Sequence, residues 1–260
     1  MQLLCLPPEK TINPSWLRTS IPREEMDVFK ATKQYLIFTR RGVDIAAYPA
    51  IEKYLEQFKE RLMPKPKDWR GADWPGRKPG AYEWYEIQDT VDYWQEFEKP
   101  KIIVPAIVQK GSYIFDAEGF YSNDKTTIIA GDDLYLLGLL NSKVTDFFIH
   151  SVSSTKRGGY YEYKPMYLVQ LPIRTIDFDN PADKARHDEI VMLVEKTLRL
   201  HRELKEDVEN EGTLSDKHEQ YQEDIAETDR QIDALVYELY GLTDEEIRIV
   251  AGNFGRNPSV

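Results

Sequence analysis

The chain has 260 residues, a single cysteine (Cys5) and a formal net charge of −11 at pH 7. Its content of 41% hydrophobic and 30% charged residues is typical of a globular protein and excludes a disordered or fibrous one. A single cysteine excludes an internal disulfide framework, and with only four scattered histidines the sequence offers too few ligands for a structural zinc site. No apolar stretch approaches the roughly 20 residues that span a bilayer, so we expect a cytoplasmic protein without a membrane segment.

The first part of the chain alternates short strand and helix patterns. Gln34–Arg40 is a mostly apolar run that predicts a strand, and Pro49 opens a helix whose apolar residues recur every three or four positions as far as Leu62. Met63–Gly80 contains four prolines and three glycines, which predicts a long loop. Lys101–Val108 predicts a buried strand that Pro105 interrupts, so we expect a sheet edge or a bulge there.

Short elements follow in quick succession. Asp116–Gly119 predicts the turn of a β-hairpin, and Lys125–Ala130 predicts another strand. Acidic capping residues precede a helix at Leu134–Leu140, and Ser142 begins the next helix, which runs to His150. We expect a last strand near Tyr167–Leu171. The first region is therefore predicted to carry a mixed β-sheet with helices.

The last part of the chain has the pattern of long helices. Ala182–Glu209 and a second segment from His218 to Leu239 each carry an apolar stripe at helical spacing. The few residues between them favour an antiparallel helical hairpin. Thr243–Glu246 is a capping box that predicts one more short helix. The predicted fold class is α+β, with a mixed β-sheet domain at residues 1–175 and an antiparallel α-helical hairpin at residues 176–260.

Charge is divided unevenly between these two regions. Residues 1–175 carry 24 basic and 23 acidic side chains, whereas residues 176–260 carry 10 basic and 22 acidic ones. Residues 1–175 also hold 26 of the 31 aromatic side chains. The acidic balance of the whole chain therefore does not exclude nucleic acid as a partner of the first region, while phosphate would repel the second.

Basic residues concentrate in two predicted loops of the first region. Phosphate binding needs cations, hydroxyl groups and free backbone N–H groups, and the loop at Ser151–Lys164 combines all three in a Ser/Thr-Lys-Arg-Gly-Gly run. The other loop, at Lys59–Gly80, interleaves cations with two tryptophans. The candidate DNA-binding residues are Lys65, Lys67, Arg70, Arg77, Lys78, Lys156, Arg157, Gly158 and Tyr160.

Catalytic patterns are weaker than these basic segments. Asp146 with Glu162 and Lys164 fits the undemanding spacing of a magnesium-dependent nuclease, but a second match inside a predicted helix shows how little that spacing requires. The Asn-Pro-Pro-aromatic motif that amino-methyltransferases use to clamp a flipped base is absent, because each Asn-Pro of the chain lacks a second proline. We therefore predict no catalytic residue and no metal site in this chain.

The order of several short segments resembles the TaqI-like specificity domain, which forms the C-terminal part of type II restriction-modification methyltransferases. The resemblance covers roughly residues 12 to 250. The segments that carry it are Tyr48–Leu55, Trp84–Gln88, Lys99–Ile103, Tyr135–Ser142, Arg157–Tyr160, Leu171–Ile173 and Ile232–Leu242.

The resemblance implies a target recognition domain that reads a short double-stranded DNA sequence. An upstream methyltransferase domain or subunit would then modify adenine with S-adenosylmethionine, and a fused restriction endonuclease would also need Mg²⁺; neither cofactor is expected in this chain. Arg157, Gly158 and Tyr160 match a family segment, which implies a structural or backbone-contact role near DNA. Two alternatives stay open, namely the magnesium-dependent nuclease and a protein-interaction module built on the helical hairpin.

Overall fold

A computed structural model of the chain describes residues 17–20, 34–122, 125–211 and 216–252. Cys5 lies outside these residues. The described elements form an α+β fold, which confirms the predicted class. The strands are β1 (Leu17–Ser20), β2 (Gln34–Ile37), β3 (Lys101–Pro105), β4 (Ile107–Val108), β5 (Ile114–Asp116), β6 (Thr126–Ala130), β7 (Thr155–Lys156) and β8 (Tyr160–Glu162). The helices are α1 (Pro49–Glu56), α2 (Lys59–Leu62), α3 (Leu134–Leu140), α4 (Lys143–Val152), α5 (Pro165–Leu168), α6 (Pro181–Glu211), α7 (Asp216–Tyr240) and α8 (Asp244–Gly252).

The described residues fall into two compact units. One unit contains residues 17–20, 34–99 and 118–122, and the other contains residues 100–117, 125–211 and 216–252. In the second unit, α6 and α7 share a core with the elements before them: Ile190 and Val236 join Ile102 and Leu139 in one buried cluster. The predicted division of function between residues 1–175 and 176–260 stays a prediction.

The first unit is built around α1 and the ladder of β1 with β2. These two strands pair antiparallel, with Leu17 opposite Ile37. Pro49 occupies the first turn of α1, where its missing N–H costs nothing, and Ile51 and Leu55 bury the inner face of that helix against Ile45. The predicted helix is interrupted after Glu56, and the segment at residues 63–80 is a loop as predicted.

The second unit contains two small antiparallel sheets. β3 lies between β5 and β6, whereas β4 continues the chain into the other sheet, in the order β4-β8-β7. The segment predicted as one strand with a sheet edge or a bulge at Pro105 therefore supplies both sheets. The hairpin predicted at Asp116–Gly119 is wrong, because β5 pairs with β3 and β6 pairs with the opposite edge of β3. The strand predicted near Tyr167–Leu171 is also wrong, since Pro165 there begins the short helix α5.

The helices of the second unit follow the predicted pattern closely. Asp133 caps α3 by accepting a hydrogen bond from the Leu136 N–H, and α6 and α7 pack along each other. α3 lies so close to α6 that a Cβ on Gly138 would be 2.8 Å from Ile190 Cγ2. This glycine allows the two helix backbones to approach closely.

Candidate nucleic-acid interface

Within the basic segment at residues 151–164, residues 155–162 form a β-hairpin whose tip is exposed. β7 and β8 pair antiparallel, with Lys156 opposite Tyr160, so Arg157, Gly158 and Gly159 make the turn. Gly158 and Gly159 have φ angles of +86° and +75°, a conformation that side chains with a Cβ rarely adopt. The two glycines therefore close a tight turn with Arg157 at the tip of the hairpin.

The base of this hairpin is attached to the rest of the second unit by three kinds of contact. β8 pairs along its other edge with β4, and the Gln109 side-chain amide donates a hydrogen bond of 3.0 Å to the carbonyl oxygen of Gly158. The Tyr161 ring stacks on the His150 ring with the centroids 3.7 Å apart. These contacts hold the turn against α4 and the loop after β4.

The charges of the hairpin are arranged around one carboxylate. Glu162 Oε1 accepts hydrogen bonds from Lys164 Nζ at 2.8 Å and from Lys156 Nζ at 3.0 Å. These two ammonium groups hold the pKa of Glu162 below its usual range, and the hydrogen bond from Lys164 has the larger effect. The hairpin therefore presents a net positive charge at neutral pH, with both lysines half exposed.

A buried hydrogen-bond chain lies beneath the hairpin. The Tyr163 hydroxyl donates to Asp146 Oδ1 at 2.8 Å and lies 3.0 Å from His150 Nε2, and Asp146 Oδ1 also accepts from the Gly111 N–H at 2.8 Å. Burial raises the pKa of Asp146 and lowers that of His150. Since Asp146 is 1% exposed, this network supports the hairpin from inside the fold.

The same geometry disfavours the nuclease alternative. Of its three predicted residues, Asp146 is buried beneath Tyr163, and Glu162 is already paired with two cations, Lys156 and Lys164. A nuclease would need carboxylates that converge on a metal ion. Within the described part of the chain, no group of three or more His, Cys, Asp or Glu side chains is placed to hold one.

The other basic segment, at residues 63–80, lies in the first unit, and Arg77 organises it. Its guanidinium donates to the carbonyl oxygens of Leu62, Trp84 and Glu86 at 2.6 to 2.8 Å and packs over the Tyr82 ring. A guanidinium that already satisfies three carbonyl groups has little left to offer a phosphate. Arg77 therefore holds the loop together, and the DNA contact predicted for it stays a prediction.

The other predicted cations of this segment are placed nearer to solvent. Lys67 and Arg70 are exposed and Lys65 is half-buried, while its backbone N–H donates to the Arg77 carbonyl at 3.0 Å. Lys78 is exposed and forms an ion pair with Asp89. The structure thus brings Lys156, Arg157, Gly158 and Tyr160 together in one hairpin, and brings the other five predicted residues together in a separate loop.

Two tryptophans accompany these cations. Trp69 and Trp74 meet edge to face with their centroids 5.0 Å apart, and Trp74 Nε1 donates to the Met63 carbonyl. Trp69 remains 41% exposed. The loop therefore presents one aromatic face beside exposed cations.

Comparison with known proteins identifies the family. The model of the TaqI-like C-terminal specificity domain matches residues 25–173, which is more than half of the chain. The chain belongs to this family. Both basic segments lie inside the matched residues, whereas the segment Ile232–Leu242, which also carried the resemblance in the sequence, lies beyond them.

Two longer proteins are similar to this TaqI-like specificity domain. The type II methyltransferase M.PaeR7I of Pseudomonas aeruginosa is 24% identical over 215 residues, which are 81% of this chain and 30% of that protein. The structure of the type IIL restriction-modification enzyme MmeI in complex with DNA has a TM-score of 0.58 at 16% identity and is matched over 92% of this chain and 30% of that one. The similarity to MmeI, at 16% identity, shows a shared fold alone. The chain thus spans 30% of the length of each of these proteins.

Sequence reasoning missed the residues that support the hairpin of this TaqI-like specificity domain. Tyr161 and Tyr163 both contact His150, and Gln109 reaches the turn from the loop after β4. The alternation of Tyr160 to Lys164 was a usable signal, because every second residue of a strand points to the same face. Nothing in the sequence around Gln109 indicates its contact with Gly158.

No described helix of this TaqI-like specificity domain combines the length and the apolar character that crossing a membrane requires.

Proposed function

We propose that this chain is the double-stranded DNA recognition module of a restriction-modification adenine methyltransferase, in which methylation and any cleavage are carried out elsewhere. The observation that carries the proposal is the exposed hairpin of Lys156, Arg157 and Tyr160, which lies inside the residues that match the TaqI-like specificity domain. Its cations and its glycine turn are the groups that phosphate and base edges require.

Similar proteins support a division of labour with a second domain or subunit. M.PaeR7I is named as a methyltransferase, and this chain matches 30% of its length. In the proposal, a separate methyltransferase part binds S-adenosylmethionine, and a cleavage part, where one exists, binds Mg²⁺. The acidic residues 176–260 would face away from the DNA, since phosphate repels them.

The experiment is a selection from randomised duplex DNA with the whole 260-residue chain, followed by fluorescence anisotropy on the enriched duplex. We expect one short sequence to be enriched and its affinity to fall with salt by about 0.9 log unit per phosphate contact for each log unit of salt. Arg248→Ala, a change to an exposed arginine on α8, is the control variant and should bind like the native chain. Failure to bind any duplex at low salt, or binding without a preferred sequence, contradicts the proposal.

The adenine assignment has its own test. We expect the reading frame upstream of this chain, or a neighbouring one, to contain an Asn-Pro-Pro-aromatic motif. With S-adenosylmethionine, the combined proteins should methylate one adenine inside the selected sequence. Methylation of cytosine instead would contradict this part of the proposal and leave DNA recognition standing.

A further inference from the structure

Arg157 differs from the other cations of the hairpin in having no partner among the described residues. Lys156 and Lys164 both bind the Glu162 carboxylate, whereas Arg157 is exposed and makes no ion pair or side-chain hydrogen bond with the described residues. Its five guanidinium N–H donors are therefore open to a ligand.

The backbone at Arg157 is nonetheless held in place. The turn closes through the left-handed conformations of Gly158 and Gly159, and the Gln109 amide fixes the Gly158 carbonyl. Because this backbone is already held, it loses little conformational entropy when a ligand binds. The entropy lost on binding is then mainly that of the side chain. Such a placement suits a residue that must reach one defined position.

The shape of the hairpin suits the major groove of DNA. Paired strands lie about 4.8 Å apart, and the major groove is about 12 Å wide, which admits a two-stranded ribbon. When the ribbon enters tip first, Arg157 meets the base edges, while Lys156 lies behind it on β7 and Lys164 follows the end of β8. Lysine acts as a point charge toward phosphate, whereas arginine can donate two parallel hydrogen bonds to O6 and N7 of guanine.

We propose that Arg157 reads a guanine in the major groove and so fixes one G·C pair of the recognised sequence. This inference rests on the proposed function and goes beyond the structural or backbone-contact role that the sequence predicts for Arg157. Removing a contact to the DNA backbone would lower the affinity for every sequence alike. Removing a contact to a base lowers the affinity only for sequences that contain that base.

The test repeats the duplex selection with the whole chain and with Arg157→Ala, Arg157→Lys and Lys156→Ala. We expect the native chain to require G·C at one position and both Arg157 variants to lose that requirement alone. Their affinity for the selected duplex should fall by roughly 5- to 150-fold, with a much smaller change for a duplex mutated at that position. Arg157→Lys is the decisive variant, because it keeps the positive charge and removes the two parallel N–H donors of the guanidinium group.

Lys156→Ala is the matched control on the adjacent residue. We expect it to keep the full sequence preference and to weaken binding to all duplexes by a similar factor. If the Arg157 variants keep the sequence preference, or lose affinity equally for all sequences, the base-reading role is overturned and DNA recognition stays in place. Absence of any preference in the native chain overturns the proposed function itself. Equal thermal unfolding midpoints exclude misfolding as the cause, since Arg157 has no buried contact to lose.

Discussion

The lysines that share the Glu162 carboxylate offer a quantitative test of how the hairpin would meet DNA. Lys156 Nζ and Lys164 Nζ lie 3.0 and 2.8 Å from the same oxygen, and both side chains remain nearly half exposed. In the proposed complex, each lysine exchanges the carboxylate for a phosphate. We therefore assign one phosphate contact to each lysine.

Each contact has a defined signature in the salt dependence. Removing one phosphate contact reduces the slope of log affinity against log salt by about 0.9. When salt rises from 50 to 200 mM, the factor by which affinity falls should therefore be about 3.5-fold smaller in Lys156→Ala or Lys164→Ala than in the native chain. In the double variant it should be about 12-fold smaller. Fluorescence anisotropy on one duplex at several salt concentrations measures these slopes.

Glu162→Gln is the control that should act in the opposite direction. Without the carboxylate, both lysines bind phosphate without giving up a partner, so we expect tighter binding and a slope at least as steep as in the native chain. Unchanged slopes in the double lysine variant would refute the assignment of phosphate contacts. If Glu162→Gln weakened binding while the lysine variants did not, the carboxylate itself would be the group that touches DNA.

Two further predictions concern the scaffold. Asp116→Ala should lower the free energy of unfolding by about 3–5 kcal/mol, because it removes the carboxylate that pairs with the fully buried Lys101; Lys101→Met combined with Asp116→Leu should restore most of it in urea denaturation. Since burial raises the pKa of Asp146, its charged form is the destabilised one, and stability should fall as the pH rises from near 4 through the raised pKa. When unfolding midpoints are measured between about pH 4 and 8, Asp146→Asn should not show this fall in stability. A fall as large as that of the native chain would contradict the reasoning.

The sequence predicted the long helices well and the short strands poorly. α6 and α7 extend over many turns with one apolar stripe, and the Thr243–Glu246 capping box begins α8 as expected, with Thr243 N–H donating to the Glu246 carboxylate at 2.8 Å. By contrast, Tyr167–Leu171 is too short for its apolar pattern to distinguish a strand from a helix. β7 is polar and only two residues long, so no hydrophobic alternation marks it.

The candidate site was predictable in composition and unpredictable in arrangement. The Lys-Arg-Gly-Gly run indicated an exposed turn, and the structure places one at that position. Arg77 has the same composition signal but serves the fold, because carbonyl groups of Leu62, Trp84 and Glu86 converge on it only after the chain has folded. Charge counting treats the two arginines alike, since it contains no information on which backbone oxygens surround each of them.

The hairpin keeps its anchoring residues apart from the residue at its tip. Tyr161, His150 and Tyr163 attach it below, and Gln109 attaches its turn through a backbone carbonyl that every amino acid possesses. Exchanging Arg157 for another residue would therefore disturb neither the anchor nor the turn. If Arg157 has the role proposed for it, single substitutions at the tip would change the recognised sequence, while the rest of the chain goes on folding unchanged.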